Sequence, residues 1–167
     1  HYRDKFGCKV YKLSIDAGFS CPNRDGTCAT GGCIFCSGRG SGDFAGNPAD
    51  SLRQQMEQQK AVMEKKWPGS QYIAYFQAHT NTHGSVEQMK NAFEAVLDIP
   101  GVVGISIATR ADCLDEEKAD YIASLMERTF VEVELGLQSV FDITGERINR
   151  CHSYEEFLAG FALLKAR

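Results

Sequence analysis

Short β-branched segments alternate with amphipathic helical segments along most of this chain, at a period of about thirty residues that is typical of βα units. The predicted strands are residues 10–15, 71–78, 102–109 and 130–138. The predicted helices are residues 51–66, 86–98, 116–128 and 154–165. Because each helix must return across the sheet before the next strand begins, the pattern predicts an α/β fold with parallel strands.

Three of the predicted helices begin at residues suited to capping free backbone N–H groups. Ser85 with Gln88 and Ser153 with Glu156 match the capping-box pattern, in which a hydroxyl and an acid or amide satisfy those groups together. Asp115 is the predicted cap of the helix at residues 116–128. These signals support the helix starts independently of the apolar periodicity.

The composition is that of a globular domain. The chain has 167 residues, of which 43% are hydrophobic and 24% charged, with a net charge of −4; this excludes a disordered or fibrous protein. No apolar stretch reaches the roughly 20 residues that cross a bilayer, so we expect a cytoplasmic protein without a membrane partner. Because the chain begins at His1 and an apolar helical pattern still runs near Arg167, we expect one domain over residues 1–167 that is the N-terminal part of a longer protein.

The segment between the first strand and the first helix interrupts the pattern. It is far longer than the usual βα connection of about 2–6 residues, and long ordered loops are commonly functional. It is rich in glycine and contains Cys21, Cys28, Cys33 and Cys36. Unconnected buried thiols are a weak explanation, because four cysteines fall within a short glycine-rich loop. Disulfides are disfavoured because the N-terminal segment does not resemble a secretory signal, so we expect a metal site.

Two kinds of metal site fit the cysteines. Four thiolates around one ion would make a closed structural zinc site, whereas three thiolates holding a [4Fe-4S] cluster would leave one iron open to a ligand. Zinc ribbons usually pair two Cys-x-x-Cys knuckles, but the cysteine upstream of Cys28 is Cys21, too far away for such a pair. The spacing favours iron and sulfur and leaves zinc as the alternative.

The trio Cys21, Cys33 and Cys36, with Phe35 before the last cysteine, resembles the cluster motif of radical S-adenosylmethionine (radical SAM) enzymes. The string from Asp16 to Thr27, followed by Gly-Gly-Cys, is similar to that of the YhcC-type bacterial family, itself similar to the catalytic subunit of elongator. The resemblance implies a partial (βα)6 barrel, of which this chain covers about four βα units. It also implies that the trio holds a [4Fe-4S] cluster and that Cys28 is not a ligand.

Further segments resemble elements that bind S-adenosylmethionine (SAM) in these relatives. They lie at or just beyond the carboxyl ends of the predicted strands, where ligands of α/β proteins bind. The residues that the resemblance assigns to the cofactor are Phe35, Gln77, Thr109, Arg110, Asp112, Gln138, Ser139 and Arg150. Arg150 is expected near the methionine carboxylate and Gln138 near the ribose. The alternative for Arg110 and Arg150 is an ion pair with Glu132, Glu134 or Glu146.

The resemblance implies an enzyme that cleaves SAM reductively to a 5′-deoxyadenosyl radical and abstracts hydrogen from its substrate. An electron donor such as flavodoxin or ferredoxin is then an expected partner, and transfer RNA is the expected substrate by analogy with elongator. A basic and aromatic group near the N-terminus would contact RNA or form a solvated arm; its members are Tyr2, Arg3, Lys5, Lys9 and Lys12. The alternative from another class is a non-enzymatic, zinc-stapled α/β binding module.

Overall fold

Four parallel strands form one sheet, in the order in which they occur along the chain. The computed structural model describes residues 1–167. The strands are β1 (Val10–Ile15), β2 (Gln71–Phe76), β3 (Val102–Thr109) and β4 (Phe130–Leu135). Every neighbouring pair is parallel. The predicted α/β class is confirmed, and the arrangement is consistent with a partial radical SAM barrel.

Six helices precede, connect or follow the strands. They are α1 (Tyr2–Phe6), α2 (Leu52–Lys66), α3 (Val86–Glu94), α4 (Glu116–Leu125), α5 (Asp142–Arg147) and α6 (Tyr154–Lys165), with a 3₁₀ turn at Ala111–Cys113. The capping boxes at Ser85 and Ser153 and the Asp115 cap are confirmed, and Ser51 with Gln54 forms a further box. No helix combines the length and apolar character that a membrane span requires.

Several elements end earlier than the sequence predicts. Strand β2 stops at Phe76, because the side chain of Asn81 donates to the carbonyl oxygens of Phe76 and Ala108 and the backbone then turns away from the ladder. Strand β4 stops at Leu135. Helix α3 ends at Glu94, before a series of turns leading to Pro100, whose ring disfavours a helical conformation in the residue before it.

The two faces of the sheet differ in chemistry because side chains alternate along each strand. One face packs against α2, α3 and α4 around a fully buried core whose members include Leu13, Ile15, Phe76, Met89, Phe93, Ile105 and Ile107. The other, concave face carries polar and aromatic side chains on all four strands: Lys12, Tyr75, Ser106, Glu132 and Glu134. The polar and charged side chains of the sheet therefore share its concave face.

The predicted N-terminal arm is instead helix α1, which packs on the beginning of β4. The Phe130 ring lies 6.1 Å from the Tyr2 ring and 5.6 Å from the Phe6 ring, both edge-on. The Tyr2 hydroxyl donates to Glu132 at 2.6 Å. Lys12 also differs from the prediction, since it lies on β1 and points into the concave face. These aromatic contacts join residues too distant in sequence for a local pattern to reveal.

Helix α6 approaches the turn after β3 so closely that Gly160 has no room for a side chain. A Cβ added at Gly160 would overlap the carbonyl oxygen of Ala111. We expect Gly160→Ala to lower the free energy of unfolding by about 1–3 kcal/mol, the usual cost of overpacking a filled interior. Urea unfolding of the variant and the natural protein measures the difference.

Gly145 in α5 provides the matched control, because its added Cβ would meet its nearest neighbours at 3.7 and 4.0 Å, which is ordinary contact. We expect Gly145→Ala to be neutral or to stabilise by up to about 1 kcal/mol, since alanine has the higher helix propensity. Equal losses in the two variants would contradict the close packing assigned to Gly160.

Candidate functional site

A cavity of about 270 Å³ opens at the carboxyl ends of the four strands. Its wall combines the long loop after β1 with the first residues beyond β2, β3 and β4. Cys21, Cys33 and Cys36 all line it, whereas Cys28 is exposed and lies outside its lining. Nowhere do three or more His, Cys, Asp or Glu side chains meet around a point that would hold a single metal ion. Because Cys21, Cys33 and Cys36 line the cavity and Cys28 does not, the three predicted ligands are separated in space from the fourth cysteine of the loop.

Buried polar side chains hold the cysteine loop in place. The Gln55 amide donates to the Asp16 carbonyl oxygen at 2.9 Å and accepts from the Asp16 N–H at 2.8 Å, which fixes the exit from β1. The Arg24 guanidinium donates to the carbonyl oxygens of Cys36, Ser37 and Gly38. The loop is thus organised by side chains reaching backbone carbonyls, the usual substitute for a hydrogen-bonded ladder.

The segment after α5 docks on the same loop through two asparagines. Asn23 is fully buried, and its amide nitrogen lies 2.5 Å from the Asn149 carbonyl oxygen and 3.1 Å from that of Arg150. The Asn149 amide donates in return to the Gly32 carbonyl oxygen at 2.8 Å. The Asn23 amide nitrogen also lies 3.3 Å from the Cys33 sulfur. Two segments far apart in sequence therefore position one buried thiol.

The two predicted arginines have partners other than those considered from the sequence. Arg110 is 2% exposed and forms a two-pronged pair with Asp112, at 2.9 and 2.6 Å. Arg150 donates to the Gly136 carbonyl oxygen and to His152, and its Nη1 lies 3.8 Å from the Cys33 sulfur. The alternative of an ion pair with Glu132, Glu134 or Glu146 is wrong for both arginines. The Arg150 guanidinium has no carboxylate partner beside the cavity.

The two carboxylates of β4 pair with Lys12 and not with an arginine: Lys12 forms ion pairs with both Glu132 and Glu134. The Tyr75 hydroxyl donates to Glu134 at 2.7 Å, and the Lys12 ammonium lies 4.8 Å from the centre of the Tyr75 ring. Burial and the adjacent Glu134 raise the pKa of Tyr75. Burial alone would lower the pKa of Lys12, but the two carboxylates outweigh it and raise the pKa. The phenol and the ammonium both remain protonated at neutral pH.

Three buried polar atoms on the cavity wall have no hydrogen-bond partner: Gln77 Oε1, His79 Nδ1 and Arg110 Nη1. Such atoms are rare in folded proteins, since leaving one unpaired costs stability. Burial lowers the pKa of His79; the charge of Asp16 opposes this shift, and those of Arg24 and Arg39 add to it, so the neutral ring is favoured at pH 7. The cavity thus contains free donors and acceptors suited to a polar ligand.

Most of the residues assigned from the sequence converge on this cavity. Besides the three cysteines, the lining includes Phe35, Gln77, Thr109, Arg110, Gln138 and Arg150. Asp112 and Ser139 are outside the lining: Asp112 holds Arg110, and the Ser139 hydroxyl accepts from the Phe141 N–H at 3.0 Å. The sequence assignment did not include the other eleven lining residues, among which Arg24, Tyr75, His79 and Glu134 carry polar side chains. Tyr75 and Glu134 could have been found from the sequence, because each is a polar residue that alternates with apolar residues along its strand. No local sequence pattern distinguished Arg24 or His79 as lining residues.

A parallel sheet with three loop cysteines gathered at its carboxyl edge is the arrangement expected of the radical SAM superfamily, and residues 25–167 match that superfamily. The chain belongs to it. Members bind a [4Fe-4S] cluster and SAM, and membership indicates an enzyme.

Three examples represent the curated proteins to which the chain is similar. It is 54% identical over 165 residues to the uncharacterized protein YtqA of Bacillus subtilis, covering 99% of this chain and 51% of YtqA. It is 36% identical over 151 residues to protein YhcC of Escherichia coli, covering 90% of this chain and 48% of YhcC. The third is the uncharacterized protein MJ0486 of Methanocaldococcus jannaschii, 34% identical over 165 residues, covering 95% of this chain and 48% of MJ0486. The chain therefore spans about half the length of the curated relatives it matches.

The residues present fit both cofactors. Soft thiolates suit an iron–sulfur cluster. N–H groups of Asn23 and Arg150 lie beside the Cys33 sulfur, and such groups would tune a cluster that this sulfur held. SAM carries a carboxylate as well as cationic groups. The lining contains the guanidiniums of Arg110 and Arg150 as well as the Gln77 oxygen and Glu134, so it offers groups suited to both kinds of charge.

Proposed function

We propose that this chain forms part of a radical SAM enzyme in which Cys21, Cys33 and Cys36 hold the [4Fe-4S] cluster. The observation that carries the proposal is the shared cavity of these three thiols at the carboxyl ends of the strands, with Cys28 outside it. When both cofactors are bound, one electron cleaves SAM to methionine and a 5′-deoxyadenosyl radical, which abstracts a hydrogen atom from the substrate.

Arg110 and Arg150 hold the methionine carboxylate in this proposal. Support comes from the unpartnered Arg110 Nη1 and from the lack of a carboxylate beside Arg150. Guanidinium groups bind carboxylates in a planar, two-pronged geometry, which would fix the orientation of the ligand. Asp112 is a positioning residue, because it pairs with the Arg110 guanidinium but does not itself line the cavity.

The remaining assigned residues surround the nucleoside and the amino group. Gln77 offers an unsatisfied acceptor to the amino group, and Gln138 offers its amide to the ribose. Phe35 presents an aromatic side chain on which the base of the nucleoside would stack, and Thr109 also lines the cavity. Ser139 supports the turn that carries Gln138. These side chains would bind and orient the cofactor and keep water from the reacting carbon.

The proposal extends to the partners and the location. A flavodoxin- or ferredoxin-type donor would supply the electron, transfer RNA is the substrate class, and the cytoplasm is the place of action. Support for the RNA substrate is the resemblance of the cysteine loop to the elongator branch, which is an argument by analogy.

Anaerobic reconstitution of the full-length protein with iron and sulfide tests the proposal. We expect a brown protein with broad absorbance at about 400 nm and, after reduction, an electron paramagnetic resonance spectrum that SAM changes. With a strong reductant, the same sample should release 5′-deoxyadenosine. A colourless protein that holds zinc through four thiolates, or a cluster spectrum unaffected by SAM, would show the proposal to be wrong.

A further inference from the structure

Asn23 is a fully buried polar side chain that lies outside the lining of the cavity. It follows Cys21 by two residues along the chain, and its backbone carbonyl oxygen accepts from the Gly32 N–H at 2.8 Å. This bond folds the cysteine loop back on itself and places the Asn23 side chain next to Cys33. The residue therefore lies behind the site, against the sulfur of a proposed cluster ligand.

The two ends of the Asn23 amide differ sharply in their surroundings. Its nitrogen has three acceptors around it: the Cys33 sulfur at 3.3 Å, the Asn149 carbonyl oxygen at 2.5 Å and the Arg150 carbonyl oxygen at 3.1 Å. Its oxygen is buried and has no hydrogen-bond partner. An unpaired buried oxygen costs stability, so the role of this side chain lies with its nitrogen.

The contact with sulfur bears on the cluster. Cys33 is 4% exposed, so its sulfur depends on donors within the protein. The Asn23 nitrogen is nearer to this sulfur than the Arg150 Nη1, which lies at 3.8 Å. An N–H group beside a ligating sulfur stabilises the more negative, reduced state of a cluster and so raises its reduction potential.

The contact with the Arg150 carbonyl oxygen bears on the SAM site. The Arg150 guanidinium donates to His152 at 2.8 Å and to the Gly136 carbonyl oxygen, which orients the side chain at the cavity wall. Its backbone is held separately, since its N–H donates to the Gly145 carbonyl oxygen at 2.8 Å and its carbonyl oxygen accepts from Asn23. Asn23 thus connects the backbone of a proposed carboxylate ligand to the cysteine loop.

Two flanking hydrogen bonds dock the same segments without Asn23. The Ile34 N–H donates to the Ile148 carbonyl oxygen at 3.1 Å, and the Asn149 amide donates to the Gly32 carbonyl oxygen at 2.8 Å. Loss of the Asn23 amide should therefore shift the contacts between the segments without separating them.

We infer that Asn23 is a positioning residue for both cofactors, because its single amide nitrogen contacts the Cys33 sulfur and fixes the backbone of Arg150. The inference rests on the proposed function, which assigns Cys33 to the cluster and Arg150 to the methionine carboxylate. It goes beyond that function in one respect: a residue outside the cavity lining sets both the reduction potential of the cluster and the affinity for SAM.

Asn23→Leu and Asn23→Asp test the inference in the full-length protein after anaerobic reconstitution. Leucine is of similar size but has no N–H group, whereas aspartate keeps the shape and replaces the donor with a carboxylate oxygen. A redox titration followed by electron paramagnetic resonance measures the potential without SAM, and anaerobic equilibrium dialysis measures the dissociation constant of SAM. The matched control is Asn47→Leu, which removes an exposed asparagine from the same connection between β1 and α2.

We expect Asn23→Leu to lower the equilibrium constant for reduction about tenfold, which corresponds to about 59 mV for a one-electron couple. Asn23→Asp should lower it further, because its negative charge opposes the addition of an electron. The dissociation constant of SAM should rise about tenfold in both variants, since Arg150 loses a backbone restraint. Asn47→Leu should match the natural protein in both measurements.

The remaining outcomes separate the inference from the proposed function. A change in one measurement alone, or in neither, would overturn the inference and leave the proposed function intact, because one amide would then not hold both ligands. Loss of iron from both Asn23 variants would also overturn it, since the side chain would then retain the cluster and not tune it. A natural protein without a cluster, or with a cluster that SAM does not affect, would refute the proposed function and the inference together.

Discussion

Cys33→Ala should yield a folded protein that no longer holds a cluster. Cys33 is 4% exposed and fixed by Asn23 and Arg150, so no other thiol can reach its position without rearranging two segments. We expect the iron content and the absorbance at about 400 nm to fall at least about tenfold after anaerobic reconstitution of the full-length variant. Far-ultraviolet circular dichroism should show unchanged secondary structure.

Cys28→Ala is the matched control, since it removes a thiol from the same loop but outside the cavity lining. It should retain the iron and the spectrum of the natural protein. If Cys28→Ala and Cys33→Ala lose metal equally, the assignment of three ligands is wrong and a site with four thiolates takes its place.

Phe93→Ala should lower the free energy of unfolding by about 3–5 kcal/mol, the usual cost of removing a large aromatic side chain from a core. The Phe93 ring is fully buried and packs edge-on against Phe76 at 4.7 Å, with the Phe19 and Tyr121 rings each at 6.3 Å. Phe76 is the last residue of β2, and the next residue, Gln77, lines the site cavity. The void left by removing the Phe93 ring would therefore lie close to the site. Urea unfolding should show a lower midpoint with an unchanged m-value.

Phe141→Ala provides the comparison for this loss, because the Phe141 side chain is 68% exposed. Its removal should change the free energy of unfolding by less than about 0.5 kcal/mol. Similar destabilisation by the two substitutions would mean that the aromatic cluster around Phe93 does not form the centre of the core.

The cavity is lined by side chains of both charges. Arg110, Arg150 and Glu134 all line the cavity, and Glu134 shares the single positive charge of Lys12 with Glu132. The pairing of Lys12 with two carboxylates leaves one net negative charge on the concave face. A ligand that carries both signs of charge is therefore matched better than a simple anion or cation.

Local sequence patterns were sufficient for the main elements of the fold and for part of the site. The four strands and four long helices follow from side-chain periodicity, and their starts follow from caps such as Ser85 and Ser153. Helix α1 was missed, because its five residues are too few to produce a periodic signal and its rings pack on Phe130 at the other end of the chain.

The amino-acid sequence alone determined the class of fold, because side-chain periodicity repeats along the chain. A resemblance to radical SAM enzymes, and not the spacing by itself, predicted Cys21, Cys33 and Cys36 as the cluster ligands. Only the tertiary structure decided which charges pair and which thiol stays outside the cavity. Lys12 meets Glu132 across 120 residues, and Asn23 meets Asn149 across 126. Contacts over such separations depend on how the strands and loops pack together in the folded chain, and a local sequence pattern does not predict that packing.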